Sequence, residues 1–459
     1  MKEFGIFNKI ASVASIILWT FIIFSGGLVA GQMEGFQKLK KGLLTGEAQA
    51  EMLSYARDPF DKELTVWNDT PGVLQGGALL IGSHFISGPA LLLVDASGKI
   101  LHSWTVEKKL FNNEILRWWK EPKEISIVAI DDAHLLPGGD VIFTQDLRDL
   151  QNFRGQRLAR MDLNSHIVWQ VPGTFHHEFD IGGSPQGIYA LTSTMRDELP
   201  VIGTQLGNAR YLEDWVVEYT LDGKKVDSWS IPEAFAHSPY SNMLTLFEND
   251  LPDLQKMRSP YGDQKTLYDL LHLNSVQYLD AAHAKALPQA KEGDLLISLR
   301  GLNSIAVLRP SLKQIVWATR GPWLHQHYVR VEDDGKLYVY DNEGARVIVQ
   351  DQGGLPVEQL KSRILSYDPF NGQWMELFSS TKMHSYWRGY YYFLPGGNII
   401  VSSPQRSRVI VVSPEKKILW ELRGVLNRDM DTVPYLKQLS TVRYYPPVDL
   451  AFLKEQKKP

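Results

Sequence analysis

Histidine and arginine residues that could act together on an anion occur at four points in the middle of the chain. Histidines begin or nearly begin the segments HHEFD (His176–Asp180), LHLNS (Leu271–Ser275) and HQHYV (His325–Val329), and Arg300 ends the strand-like run LLISLR. A neutral imidazole can act as a nucleophile or carry a proton, and a guanidinium presents a planar fork of donors to sulfate or phosphate oxygens. The pattern favours a site for a tetrahedral oxyanion.

A metal site is the alternative for the same residues. Three imidazoles can hold zinc or copper, but the chain has no HExxH motif and no closely spaced ligands on one element. An arginine in the pocket would also repel a cation. We therefore expect a site with neither a metal nor an organic cofactor. Three more polar residues precede LLPGG and belong either to the same pocket or only to a turn. They are Asp131, Asp132 and His134.

A repeated phrase indicates the fold that could bring these residues together. Six times the chain reads an apolar strand, a tight polar turn and a second strand ending near tryptophan. The copies are Ala90–Trp104, Leu158–Trp169, Val216–Trp229, Ile305–Trp317, Ile364–Trp374 and Val409–Trp420. Repeats at this spacing are typical of a β-propeller, whose blades bury their faces only against neighbouring blades. An all-β, six-bladed propeller would gather residues from distant parts of the sequence around one axial pocket.

A less regular phrase precedes each hairpin and predicts the inner strand of the same blade. It joins a glycine-containing turn to a run of residues that favour strands. The copies are Gly76–His84, Leu135–Gln145, Gly183–Thr192, Gly293–Arg300, Asp333–Asn342 and Leu394–Ser403. The alternative is a two-sheet sandwich with accidental similarity among its hairpins, which six ordered pairs of phrases disfavour.

Composition excludes several classes of site. The 459 residues are 44% apolar, enough for a large core in one domain, and the formal net charge of −4 gives no sign of a nucleic-acid surface. The chain has no cysteine. Structural disulfides, thiolate metal sites and cysteine nucleophiles are therefore excluded.

The N-terminal segment predicts a membrane anchor. No charged residue occurs from Ile10 to Gln32, a stretch long enough to cross a bilayer as one helix. Cleavage after Ala30 would place Leu28 where a small residue is required, so we expect residues 1–32 to remain as a cytoplasmic tail and single-pass anchor. Lysines on both sides give no clear orientation. A short leading tail before a large domain favours the propeller on the extracytoplasmic, periplasmic side.

The remaining organisation follows from breaks in the repeat. We expect a partly helical linker over residues 33–66, the propeller over residues 67–450 and a flexible basic tail over residues 451–459. Insertions at about residues 105–126 and 232–271 interrupt the repeat. Long insertions on a rigid scaffold are usually lids or surfaces for a protein partner, and solvated padding is the alternative.

The order of the site segments resembles the bacterial arylsulfate sulfotransferase family. The resemblance rests on HHEFD, then HLNS, then a strand ending in SLR, then QH before a Gly-turn strand ending in YDN, and it covers about residues 70–425. IVWATRG (Ile315–Gly321) and LYVYDN (Leu337–Asn342) agree with it. It implies a six-bladed propeller that moves a sulfuryl group from a phenolic sulfate ester to another phenol. The transfer would use a sulfated histidine and no nucleotide donor.

The resemblance also implies a role for each matching residue. His327 would be the nucleophile, and His272, Asn274 and Arg300 would hold the sulfuryl oxygens. His177 matches a further pocket histidine. His176, as the substitute for His177, and Gln326, beside the nucleophile, are assigned with Asn274 to substrate binding. The chain departs from the family pattern in having no cysteine pair and in having Tyr328 where an acidic residue is expected after the nucleophile.

The implied chemistry is an in-line attack of neutral His327 on sulfur while the phenolate leaves. Charge on the equatorial oxygens would be stabilised electrostatically, and a protonated His177 or His272 would donate to the departing oxygen. Four aromatic residues could stack on the aryl rings or simply pack in the core. They are Trp323, Tyr328, Trp387 and Tyr390.

Two other functions remain open. The propeller could be a non-catalytic binding module or scaffold subunit of a membrane complex. It could also be a quinone-dependent dehydrogenase, since those are tryptophan-rich propellers too, although the absent cysteine pair and the arginine–histidine pocket disfavour that function. The expected partners are an aryl sulfate, a phenol and, through the anchor, a membrane, with no nucleic acid.

Overall fold

Short antiparallel strands make up most of the ordered chain. The computed structural model describes residues 65–67, 70–85, 91–106, 127–149, 152–196, 209–248, 255–258, 266–343, 360–423 and 439–455. The predicted anchor, nearly all of the predicted linker and most of the insertion at 105–126 lie outside these residues. Within the described ranges, no helix is both long and apolar enough to cross a membrane.

The first two blades follow a short strand that belongs elsewhere in the fold. These strands are β1 (Thr65–Trp67), β2 (Ala78–Phe85), β3 (Leu91–Val94), β4 (Ile100–Trp104), β5 (Ile127–Leu135), β6 (Val141–Asp149), β7 (Asn152–Met161) and β8 (Ile167–Pro172). β2 to β4 lie in the first blade, and β5 to β8 form the second.

The third blade carries the insertion at 232–271 as an extension of its sheet. Its elements are β9 (Phe175–Gly182), β10 (Gly187–Arg196), β11 (Ala209–Thr220), β12 (Lys225–Ser230), the helix α1 (Ile231–Ala236), β13 (Gln255–Arg258) and β14 (Thr266–Asp269). Ser230 is the N-cap of α1, and its side chain accepts a hydrogen bond from Glu233 N. β14 pairs in parallel with β11, so the insertion ends beside the blade.

The last three blades repeat one pattern without interruption of the sheets. Their strands are β15 (Leu273–Tyr278), β16 (Leu295–Leu299), β17 (Ser304–Arg309), β18 (Gln314–Arg320), β19 (His327–Val331), β20 (Leu337–Asp341), β21 (Ser362–Tyr367), β22 (Trp374–Ser380), β23 (Tyr390–Phe393), β24 (Ile399–Ser403), β25 (Arg408–Val412) and β26 (Ile418–Arg423). Each blade has four antiparallel strands in sequence order.

The two ends of the described chain close the ring. The last strand, β27 (Leu439–Tyr445), pairs with β2 and is the first strand of blade one, while β1 pairs with β26 at the outer edge of blade six. The first strands of successive blades contact one another in the order β27, β5, β9, β15, β19, β23 and back to β27. The prediction of an all-β, six-bladed propeller is confirmed.

The apolar core consists of six layers, each between two neighbouring blades. Tryptophans of the repeated hairpin connect some pairs of neighbouring blades across these layers. Trp104 Nε1 donates to Gly139 O of blade two at 3.2 Å, and Trp420 Nε1 donates to Ala96 O of blade one at 2.7 Å. Trp374, at the same place in blade five, is instead 49% exposed. The repeated tryptophan is therefore an inter-blade contact in some blades and a surface residue in another.

The glycine-turn phrases do not form the innermost strands, and this part of the prediction was wrong. Their strand-forming residues make β2, β6, β10, β16, β20 and β24, which are the second strands of the blades. The innermost strands face the axis and carry charged and polar side chains, such as the HHEFD of β9 and the HYVRV of β19. Their apolar pattern is consequently weaker than that of the strands behind them.

The C-terminal end is ordered further than expected. The helix α2 (Phe452–Glu455) begins within the segment predicted to be a flexible tail, and Phe452 is buried in the layer between blades one and two. Burial of an aromatic ring explains why residues 451–455 are held on the propeller. Residues 456–459 lie outside the described ranges.

Candidate active site

Irregularities in the innermost strands place the polar residues. The registers of β9 against β10, β15 against β16 and β19 against β20 all shift near the ends that carry histidines. His177 and His272 have left-handed backbone, with φ of 55° and 50°. A bulge re-aims the side chains beside it, and left-handed backbone in a non-glycine residue is often found at functional sites. The bulges thus direct histidines of three blades to one place.

Three histidines meet there. One ring nitrogen from each of His177, His272 and His327 lies within 4.8 Å of the others. The ring centroid of His177 is 5.0 Å from that of His272 and 5.9 Å from that of His327. His327 is only 1% exposed. Residues from blades three, four and five therefore form a single cluster, which we call the histidine cluster.

The hydrogen bonds of Asn342 fix the tautomer of His327. Asn342 Nδ2 donates to Ser385 O at 2.8 Å and to Arg388 O at 2.7 Å, so its Oδ1 is the atom that faces His327. His327 Nδ1 lies 2.9 Å from that Oδ1 and 3.0 Å from His325 O. Both oxygens only accept, so Nδ1 carries the proton. His327 Nε2 is then a buried lone pair without a hydrogen-bond partner among the described residues.

A carboxylate orients His272. Asp269, at the end of β14, accepts a hydrogen bond of 2.6 Å from His272 Nδ1. Burial raises the pKa of Asp269, but the charges of His272, His176 and Arg300 outweigh burial and leave that pKa below its ordinary value. Asp269 is thus a carboxylate at neutral pH, and Nε2 is the ring atom of His272 left for the cluster.

His176 lies behind the cluster. Its Nδ1 is 2.9 Å from His177 Nδ1, and its Nε2 is 3.7 Å from Asp214 Oδ1. A carboxylate on that side favours a proton on His176 Nε2, so His176 Nδ1 accepts from His177 Nδ1. The lone pair of His177 is then on Nε2, as in His327. Of the two adjacent histidines, His177 is the one in the cluster.

The electrostatic environment keeps His177 and His327 neutral. Burial is the main reason that the pKa of each lies well below the usual 6.5. The neighbouring His272 lowers the pKa of His177 further, and the charge of Arg300 lowers that of His327. A neutral imidazole has the lone pair that nucleophilic attack requires.

Arg300 supplies positive charge beside the cluster. It follows β16, its backbone N donates to His272 O at 3.1 Å, and its guanidinium carbon is 5.6 Å from the centroid of the Tyr386 ring. Burial lowers the pKa of Arg300, whereas Tyr386 and Asp269 raise it. Arg300 Nε is buried, and nothing in the described part of the chain accepts its proton. A buried guanidinium with a free donor is suited to an anionic ligand.

Asn274 and Gln326 hold the backbone directly before His327. Asn274 Nδ2 donates to Gln326 O at 2.8 Å, and Gln326 Nε2 donates to Ser304 O at 2.9 Å and Ser298 Oγ at 3.1 Å. Both side chains are completely buried. In this geometry they fasten the start of β19 to blade four and so position His327.

The acidic residues of β5 divide between the pocket and the axis. Asp131 Oδ2 accepts from His177 N at 3.3 Å, and its Oδ1 accepts from Arg388, so Asp131 borders the histidine cluster. Asp132 pairs with Arg443 of β27, with Oδ2 2.6 Å from Nη2, and His134 Nε2 lies 3.0 Å from Phe179 O. Asp132 and His134 therefore connect blades rather than line the cluster.

Most of the predicted aromatic candidates are core residues. Trp323, Tyr328 and Tyr390 are at most 4% exposed. Trp387 is partly exposed and packs edge-on against Tyr386, with ring centroids 5.8 Å apart. Tyr386 also faces His325 and Arg300. The sequence reasoning missed Tyr386, although the segment HSYWRG directly before β23 combines two aromatic residues with a histidine and an arginine.

Two polar partners were also missed, because they contact the cluster from other elements. Asp269 lies three residues before His272, a spacing that could have suggested the pair. Asn342 ends the segment LYVYDN, but nothing in that segment indicates that its amide reaches His327.

Comparisons with known proteins identify a family for this chain. A sequence model of the family described as arylsulfotransferase (ASST) matches residues 132–425. The curated proteins give no match. A protein of unknown function from Bacteroides caccae is 9% identical with a TM-score of 0.44, covering 80% of this chain and 98% of its own. Virginiamycin B lyase from Staphylococcus aureus is 9% identical with a TM-score of 0.34, covering 69% and 84% respectively.

Proposed function

The chain belongs to the arylsulfotransferase family, and we propose that it moves a sulfuryl group from a phenolic sulfate ester to a phenolic acceptor through a sulfohistidine on His327. The proposal includes independence from any nucleotide donor. One observation carries it: the Nε2 lone pair of His327 is buried, is fixed by the bond of Nδ1 to Asn342, and faces two further imidazoles. The family match supports sulfotransferase activity, and the geometry supports His327 as the nucleophile of the proposal.

In the first half-reaction, His327 Nε2 attacks the ester sulfur. The N–S bond forms while the S–O bond to the aryl group breaks, and its electron pair leaves with the phenolic oxygen. Positive charge then develops on the imidazole ring. Asn342 Oδ1 and His325 O stabilise that charge, because both accept from the Nδ1 proton, which stays in place.

Arg300 and His272 act on the other atoms of the ester. The guanidinium of Arg300 stabilises the sulfuryl oxygens during transfer, since charge-assisted hydrogen bonds are strongest where charge develops. The carboxylate of Asp269 stabilises the imidazolium form of His272 by its charge. His272 in that form donates its Nε2 proton to the departing phenolate and becomes neutral.

The second half-reaction reverses the first with a different phenol. Neutral His272 removes the proton of the acceptor hydroxyl, the phenolic oxygen attacks sulfur, and the N–S bond breaks. His327 recovers its neutral form. Because the two phenols use the site in turn, the kinetics are ping-pong.

Turnover of a chromogenic aryl sulfate tests the proposal. Purified protein should release the coloured phenol at a rate that rises with the concentration of an acceptor phenol, and the acceptor should be recovered as its sulfate ester. With donor alone, the protein should gain the mass of one sulfuryl group, which is absent in His327→Ala. If several aryl sulfates bind to the protein but none is turned over, the result would instead support the non-catalytic binding module.

The proposal also places the protein at a membrane. The uncharged stretch Ile10–Gln32 supports a single-pass anchor, with the propeller on the periplasmic side. Full-length protein should sediment with membranes and resist extraction by high salt, whereas a chain lacking residues 1–32 should remain in the supernatant. Recovery of a mature chain that begins near Gly31 would contradict the anchor.

A further inference from the structure

When its three rings are neutral, the histidine cluster presents the Nε2 lone pairs to a shared space, and the Nδ1 protons point away from that space. The Nδ1 atoms of His272 and His327 bond to Asp269 Oδ2 at 2.6 Å and to Asn342 Oδ1 at 2.9 Å. His177 Nδ1 bonds to His176 Nδ1 at 2.9 Å. Each Nε2 is therefore left for the cluster, whose three ligand nitrogens lie within 4.8 Å of one another.

We propose that the histidine cluster also binds a divalent first-row transition metal ion, Zn²⁺ above all, and that the bound ion blocks the site. The binding follows from geometry alone, and the block of sulfuryl transfer rests on the proposed function. Proteins hold zinc with neutral imidazoles whose second nitrogen donates to a carboxylate or carbonyl oxygen. His272 and His327 have such partners in Asp269 and Asn342.

The distances require only a small closure of the cluster. Zn–N bonds of about 2.0–2.1 Å in a tetrahedron place the nitrogens about 3.3 Å apart. All three separations in the cluster are within 4.8 Å, so each exceeds this value by at most roughly 1.5 Å. Small rotations of the three rings can provide that movement. Three protein ligands leave a fourth position for water, as in zinc sites that remain open.

The charges around the cluster oppose the ion less than Arg300 alone would suggest. Arg388, the other nearby guanidinium, is paired with Asp131, and the carboxylate of Asp269 lies directly behind His272. Arg300 remains as the repulsive charge and weakens binding. Because all three ligands are nitrogens, Zn²⁺ and Cu²⁺ are favoured, and Mg²⁺ and Ca²⁺, which prefer oxygen, are not.

The metal ion and the sulfuryl group would compete for the same atom, His327 Nε2. The lone pair on His327 Nε2 can bond to the ion or to sulfur, but not to both. Zn²⁺ should therefore inhibit competitively with the aryl sulfate. Protein treated with donor in the absence of acceptor should be protected, because its His327 Nε2 already carries the sulfuryl group.

Calorimetric titration of tag-free, full-length protein with ZnCl₂, without any sulfate ester, tests the binding. We expect one ion per chain, no heat with MgCl₂, and a Kd raised at least about 100-fold in His272→Ala and in His177→Ala, because even an outer partner of a ligand contributes about 10–100-fold. His166→Ala is the control, since the His166 side chain is 79% exposed on a turn. Co²⁺ should give a ligand-field absorption band that His272→Ala lacks.

The outcomes separate the two proposals. Equal zinc affinity in the wild type and both cluster variants, with all three folded by circular dichroism, would overturn the metal site. Stoichiometric zinc binding lost in those variants would support the site even if no aryl sulfate were turned over. If the protein turns over aryl sulfates, does not bind Zn²⁺ and is not inhibited by it, the proposed transferase function would stand and the metal site would be rejected.

Discussion

The hydrogen bond of 2.9 Å between His327 Nδ1 and Asn342 Oδ1 joins two residues of blade five, and the amide of Asn342 connects them to a loop of blade six. Asn342 lies one residue beyond β20, and its amide is held by Ser385 O and Arg388 O, both in the loop before β23. The reactivity of His327 therefore depends on how two blades pack. Asn342 is a positioning residue, since it acts through His327.

Asn342→Leu should lower kcat by about 10–100-fold and change KM little. In this variant His325 O still accepts from His327 Nδ1, but that one bond is not enough to fix the orientation of the ring. Steady-state kinetics with a chromogenic donor measure this. Asn371→Leu, the same change in an exposed turn, is the control. Unchanged kcat in a folded Asn342→Leu protein would refute the positioning role.

His327→Ala should reduce transfer at least about 10⁴-fold, as expected when a nucleophile is removed from a set of groups that act together. The fold should persist, since its layers lie between the blades. Stopped assays with donor and acceptor give the rate, and thermal unfolding checks the fold. If the variant still transfers the sulfuryl group at a comparable rate, a different atom is the nucleophile.

Asp269→Asn should slow esters of weakly acidic phenols more than esters of nitrophenols, by about 10-fold or more. An amide can still accept from His272 but has no charge to stabilise its protonated form, and proton donation matters most for poor leaving groups. The ratio of kcat/KM for the two ester classes is the measurement. A uniform loss for both classes would indicate a merely structural role.

The rate of transfer should persist below the pH at which an ordinary histidine becomes protonated. Burial holds the pKa of His177 and His327 well below 6.5, so both remain neutral as the pH falls through that value. Unfolded histidines do bind protons below about 6.5, so acid also destabilises the fold. Initial rates between pH 8 and 5 should therefore be compared with unfolding temperatures. Sulfuryl transfer from donor to protein, measured without acceptor, that halves as the pH falls through 6.5 in fully folded protein would contradict a neutral, buried nucleophile, because protonated His272 assists that step.

Arg443→Met should destabilise the propeller by about 3–5 kcal/mol, because it leaves Asp132 buried without its partner. Burial raises the pKa of Asp132, but Arg443 and His134 outweigh it and keep the group ionised. Chemical denaturation measures the change. The double variant Arg443→Met/Asp132→Leu should recover part of the loss, and Lys224→Met, which breaks an exposed pair, should have no measurable effect.

The sequence was informative where one pattern was repeated. Six hairpins predicted six blades, because each blade must bury its faces against the next blade and therefore repeats the same pattern of apolar residues. The innermost strands were assigned wrongly, because β9 and β19 carry polar residues near the axis and do not show that apolar pattern.

The site was only partly readable for a different reason. His177, His272 and His327 could be proposed because they begin or closely precede strands of successive blades. Asp269 and Asn342 act through contacts made by an insertion and by a neighbouring blade. Such contacts depend on tertiary packing. The three-residue spacing of Asp269 and His272 is a local hint of one of them, whereas nothing near Asn342 in the sequence indicates its contact with His327.

The pairing of β27 with β2 also sets an order of events during synthesis. Ala78 pairs with Tyr445, so blade one lacks its inner strand until nearly the whole polypeptide has been made. Blades two to five can form earlier from neighbouring residues, but the ring remains open during that time. Arg443, which balances Asp132 beside the axis, is delivered by the same strand. The closed ring around the histidine cluster is therefore among the last features that a growing chain can complete.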